Sequence, residues 1–179
     1  MRRESIVLVS LVVYFSFLAI LFYNYGGFIW PVLVASALAW FFIEAKNSGR
    51  KETKRAFLIG LFLLIFDFIV ENTGWIFGLW AVEGMFSIGV VPIEVMLIAF
   101  FGGSAWALYM PKKFNFKHSL VDSFVFSFYG ALGEFLLIKH GYFVYRTGWT
   151  SFHAFLAYFI TWWIMNYVKY RVISREAKR

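Results

Sequence analysis

Asp67, Glu94 and Glu134 stand inside long apolar runs of a chain that is 61% hydrophobic. An acid in such a run loses the water that would stabilise its anion, so it is expensive to keep and marks a functional site by default. A carboxyl set among Phe and Trp is suited to hand over a proton. Nearby ring faces, of the kind Trp75, Phe77, Trp80, Tyr142 and Trp149 supply, favour a cation over an anion. Acid and rings together suit protonation of a carbon-carbon double bond. That step opens cyclisation, hydration or isomerisation of a lipid-soluble isoprenoid or polyene.

The elements that must carry these side chains follow from composition. The chain has 179 residues, of which 23% are aromatic and only 15% charged, and its mean hydropathy is +0.72. Soluble domains do not have this composition. The reading is an all-α polytopic bundle, one transmembrane domain over residues 1–179. Six apolar stretches approach the roughly 20 residues that a helix needs to cross hydrocarbon. They run Ser5 to Asn24, Gly27 to Glu44, Arg55 to Gly74, Ile88 to Tyr109, Ser119 to His140 and Ser151 to Tyr170. Pro31 allows regular helix in the second only from about that point. Arg2 and Arg3 precede an apolar run with no small-residue cleavage site after it, which reads as a retained anchor.

Lys and Arg in short loops resist translocation. With six spans, fifteen of the 17 basic residues fall on one side and only Lys139 and Arg146 on the other. Both termini are therefore expected in the cytoplasm of a multi-pass cell-membrane protein. The net charge of +7 then reflects topology and attraction to anionic membrane lipids, with no nucleic-acid partner. Cysteine is absent, which excludes disulfides, thiolate metal sites and a Cys nucleophile.

Helical rise sets the depth of the acids. Asp67, Glu94 and Glu134 lie six or seven residues inside the expected outer boundary, roughly 10 Å along the axis. They can meet in one layer between the third, fourth and fifth helices. Glu71 follows Asp67 by one turn, and Asn72, His140, Arg146 and His153 gather toward the same rim. The expected catalytic set is Asp67, Glu94 and Glu134. The expected substrate contacts are Glu71, Asn72, Trp75, Trp80, Tyr142, Trp149 and His153, with no metal and no cofactor. An internal echo supports the grouping: Asp67 precedes Gly74-Trp75 by the interval at which Glu134 precedes Gly141-Tyr142. Two helix-loop-helix units with a site at their interface would produce it.

Structural explanations compete for several of these residues. Glu94 follows Pro92 at a helix start, where the macrodipole favours an acid. Asp122 follows Ser119 at capping-box-like spacing and is read as a helix start without function. Lys139 and Arg146 can snorkel or neutralise acids, and Glu71 and His153 can serve the interface.

The stretch Asp67 to Trp75, the segment Phe77-Gly78-Leu79-Trp80 and Gly89-Val90-Val91-Pro92-Ile93-Glu94 resemble the membrane carotenoid-biosynthesis superfamily, which includes small lycopene cyclases and carotenoid hydratases. That group carries a Pro-x-Glu motif, usually followed by a second acid, at a helix start. Here Val95 takes the second position. The resemblance implies Glu94 as the motif acid, Asp67 and Glu134 as proton donor and base, and chemistry without a redox cofactor. Glu134 through Tyr142, and Tyr145 to Gly148-Trp149, are also similar to small membrane proteins with a Glu, Gly-Tyr and Gly-Trp pattern; that likeness implies no activity.

The alternative is a small-solute binding or transport subunit, in which outward-facing acids and Trp75, Trp80 and Trp149 cage a cationic or aromatic solute. A metal-dependent hydrolase on Glu71, His140 and His153 is a third reading, without the ligand spacing such sites use. A structural subunit held together by its polar groups is a fourth. The sequence leaves substrate and oligomeric state open.

Overall fold

The structure is a computed structural model and describes residues 3–173. The charges counted above at Arg2, Arg175, Lys178 and Arg179 lie outside them. Six helices dominate: α1 (Arg3–Asn24), α2 (Ile29–Lys46), α3 (Arg50–Ile76), α4 (Ile93–Tyr109), α5 (Phe116–Lys139) and α6 (Ser151–Tyr167). A π-helical segment, Val168–Ile173, continues α6. Four of them, α1, α2, α3 and α5, are long and apolar enough to cross a bilayer. The other two have 17 residues each. α4 starts at Ile93 and not at Ile88, because residues 87–92 fold into a ribbon. Large apolar side chains such as Val13, Ile20, Phe42, Ile69 and Ile160 point outward and are exposed. Such an exposed apolar surface is consistent with a membrane protein.

The helix starts follow local chemistry. α2 begins two residues before Pro31, so the missing proline N–H falls in the first turn, where no intrahelical acceptor is needed. The α5 cap is Asn115, whose side chain accepts the His118 N–H at 3.2 Å. Asp122 is therefore well inside α5 and is not a cap acid.

Short strands decorate one end, where an all-α reading expects none. β1 (Trp80–Val82) pairs antiparallel with β4 (Phe143–Tyr145), and β2 (Ser87–Ile88) with β3 (Val91–Pro92). We call this the ribbon end. The opposite end, with loops 47–49 and 110–115, is the basic end.

Two groups of three helices make up the bundle. α4 packs between α2 and α3, and α5 packs between α1 and α6. Direct helix-to-helix approach across the two groups is slight. The β1-β4 ribbon joins them at one end.

The α3 and α5 ends repeat each other bond for bond. After α3 the amides of Phe77, Gly78 and Leu79 donate to the carbonyls of Thr73, Trp75 and Gly74. After α5 the amides of His140, Gly141 and Tyr142 donate to Leu136, Ile138 and Leu137. Both are Schellman closures, and both glycines hold the left-handed conformation that these closures require, with φ of +63° and +79°. The reciprocity continues through the ribbon: the Glu83 amide donates to the Tyr142 carbonyl, and the Arg146 amide to the Leu79 carbonyl. Pairing is symmetric about Ala81 and Val144. The repeat offset is thus 63 residues, from Gly78 to Gly141. The sequence echo of Asp67 with Glu134 has a different offset, and it pairs Gly74, inside α3, with Gly141, beyond α5. In the structural register the mate of Glu134 is Glu71.

Candidate functional site

Between the two helix groups lies a chamber of about 730 Å³, within the range of small-molecule sites. It receives side chains from all six helices and is overwhelmingly apolar. On α2 its wall runs from Trp30 to Glu44, roughly 20 Å of helix. The chamber is a slot rather than a sphere.

Its ribbon end is acidic. Asp67 and Glu71, one turn apart on α3, and Glu134 on α5 all line the wall and lie close enough for their charges to interact. Glu71 accepts the Trp80 indole N–H at 2.8 Å. Glu134 accepts the Tyr145 hydroxyl at 2.6 Å and a second hydroxyl from Tyr158. Each repeat thus presents one glutamate, held by an aromatic donor from the strand that follows its helix. Burial and Glu134 together hold the Tyr145 proton above the ordinary phenol range, so it remains a donor.

Asp67 and Tyr158 break the symmetry. The structural counterpart of Asp67 on α5 is Gly130, and Tyr158 fills the space there; a Cβ on Gly130 would stand 2.9 Å from the Tyr158 ring. Asp67 Oδ2 is buried with no hydrogen-bond partner, in a wall that holds no Lys, Arg or His among the described residues. Glu44, at the far end of the slot, is matched by Arg3, which donates to it.

The expected site residues divide. Asp67, Glu71, Glu134, Trp80 and Trp149 line the chamber, with the Trp80 and Trp149 rings 4.6 Å apart. Glu94 does not line it. Its Oε1 accepts the Met85 amide at 2.9 Å and ties the loop before β2 to the α4 start, while its Oε2 is buried without a partner; the acids that share the chamber number two of the three expected. Asn72 bonds its own helix through the Phe68 carbonyl. Trp75 and Phe77 are exposed on the outside. Tyr142 packs on Trp30 at 6.3 Å. His153 bonds Thr150 and lies against Trp149. Lys139 donates to the Tyr23 carbonyl and covers the Tyr23 ring, away from the acids. His140 bonds the Phe22 carbonyl. Among the described residues no three side chains are grouped to hold a metal.

Tyr158 is a site residue that the sequence reading missed. It lies seven residues into α6, the same depth as the acids, so the arithmetic that selected them could also have selected it.

No family profile, curated protein or solved structure matches this chain.

Proposed function

We propose that the protein is a six-span integral membrane protein, with both termini cytoplasmic, that binds an elongated lipid-soluble isoprenoid or polyene and acts on it by acid-base catalysis. The observation that carries this reading is the slot itself: a long apolar chamber whose carboxyls are concentrated at one end. A compact polar solute would waste most of that wall, whereas a chain-like molecule fills it and brings one terminus to the acids.

In the proposed reaction a carboxyl on α3, Asp67, gives its proton to a terminal double bond. The cation that results faces the Trp80 and Trp149 rings. Loss of a different proton to Glu134 regenerates a double bond, so the sum is cyclisation or isomerisation; if water adds to the cation first, Glu134 takes the proton of that water and the sum is hydration, and in each case return of the proton from Glu134 to Asp67 resets the site. Tyr145 and Tyr158 orient Glu134. The resemblance to carotenoid cyclases and hydratases implies Glu94 as the motif acid, whereas Glu94 does not line the chamber and bonds the Met85 amide, so in this proposal Glu71 is the third acid of the chamber.

Expression in cells that accumulate a linear carotene, followed by pigment separation, tests the proposal. A cyclised, hydrated or isomerised product is expected, and Asp67→Asn or Glu134→Gln removes it. Unchanged pigment with good membrane expression contradicts the reading.

One observation favours a second reading. Three carboxyls line one end of the chamber, whose wall holds no basic side chain among the described residues, an arrangement that also suits capture of a cationic solute by a binding or transport subunit.

A further inference from the structure

The three ribbon-end carboxyls are enclosed by ring faces and by hydrogen-bond donors that are already in use. Trp80 is committed to Glu71, and Tyr145 and Tyr158 to Glu134. Asp67 Oδ2 is left without a partner and is buried in the slot. The neighbouring basic side chains are turned elsewhere: Lys139 donates to the Tyr23 carbonyl and the His140 ring bonds the Phe22 carbonyl. At the other end of the slot Glu44 has its own cation, Arg3. A carboxyl thus has a basic partner at the basic end of the chamber, and no base lines the ribbon end among the described residues.

We infer that the slot binds a single-chain amphiphile bearing a cationic nitrogen, with the head at Asp67, Glu71 and Glu134 and the chain running toward Glu44. An ammonium at that end of the slot meets the unpartnered Asp67 oxygen and the paired Trp80 and Trp149 rings, which bind cations through their faces. An alkyl chain covers the apolar wall between Trp30 and Ala37 on α2 and between Leu11 and Leu18 on α1, burying surface that would otherwise need lipid or water. An anionic head is excluded by three carboxyls with no compensating base. The inference rests on the chamber of the proposed function and adds the charge of the molecule that fits it best. It does not require catalysis.

The test uses the whole protein in neutral maltoside micelles, titrated with dodecyltrimethylammonium, dodecanol and dodecanoate, with protein-free micelles subtracted. The chains are equal, so only the head differs. Saturable binding of the ammonium at least tenfold tighter than the alcohol is expected, with the carboxylate weakest. The Asp67→Asn, Glu134→Gln double variant should lose at least tenfold for the ammonium and keep its affinity for the alcohol; the unaltered protein already gives the head-group series should that variant fold poorly. Equal binding of all three, or tightest binding of dodecanoate, overturns the inference. Cation preference without pigment conversion leaves the site and removes the enzyme, whereas pigment conversion without cation preference does the reverse.

Discussion

Asp122 near the basic end and Asp67 near the ribbon end are both enclosed by helices, yet their surroundings differ in kind. Asp122 accepts the Trp106 indole at 2.8 Å and the Tyr109 hydroxyl, one on each oxygen. It has no exposed surface and does not line the chamber. Close by, Lys169 donates to the carbonyls of Ala107 and Met110, fastening the end of α6 to the end of α4. That region is a clasp. Asp67 has an oxygen without a donor and a chamber in front of it. An enclosed acid is thus not enough to mark a site, nor is a free lone pair, since Glu94 Oε2 is also buried without a partner; what sets Asp67 apart is a free oxygen together with a chamber that it lines.

The largest effect should come from breaking the clasp. Asp122→Ala strands two buried donors, at a cost of about 2–5 kcal/mol, read as a large fall in thermal midpoint in detergent. Asp67→Asn should cost no more than about 1 kcal/mol, since no donor loses its acceptor. Equal losses would erase the distinction between the two ends.

Next come the two helix closures that define the repeat. Gly78→Ala and Gly141→Ala each force a side chain into the left-handed region, at about 1–2 kcal/mol. Similar losses in thermal unfolding sharpen the 63-residue register, whereas a loss at only one position breaks it. Asn115→Ala removes the α5 cap at the basic end and should cost about 1 kcal/mol by the same measurement.

The smallest effect is at the surface of the basic end. Glu52, on the part of α3 before its apolar run, accepts a hydrogen bond from Lys112 at 2.7 Å, which holds its carboxyl below the usual range. The folded value is depressed, so the stabilisation is present above the unfolded carboxylate value and is lost as pH falls through the folded one. Both groups are well exposed, which limits the gain to a few tenths of a kcal/mol. The thermal midpoint should fall slightly on acidification through that range, and Lys112→Ala should abolish that part of the dependence.

Much of this was legible in the chain. Hydropathy located the helices to within a few residues, except where the α4 start gives way to the β2-β3 ribbon, a stretch whose apolar Val90 and Val91 read as span. Helical rise set Asp67 and Glu134 at similar distances from the ends of α3 and α5, and both line the chamber. Which face each acid presents did not follow from rise, because almost every position of these helices is apolar and no polar stripe sets the rotation. Glu94 was equally consistent with a helix start and with chemistry, and its bond to Met85 makes it a loop anchor. Asp122 looked like a cap because Ser119 precedes it, but Asn115 caps α5 one turn earlier. The repeat is visible in the sequence, but with the wrong partner: the interval before the Gly-aromatic pairs matches Asp67 to Glu134, while the closing glycines pair Glu71 with Glu134.

Convergence of acids from the two helix groups on one chamber is the claim on which the functional reading depends. The chain has no cysteine, so engineered pairs react without background, and a short bis-maleimide applied to the Glu71→Cys, Glu134→Cys variant in membranes measures that convergence directly. Efficient intramolecular cross-linking is predicted for this pair and little for Glu94→Cys, Glu134→Cys. Cross-linking of the second pair but not the first would contradict the account.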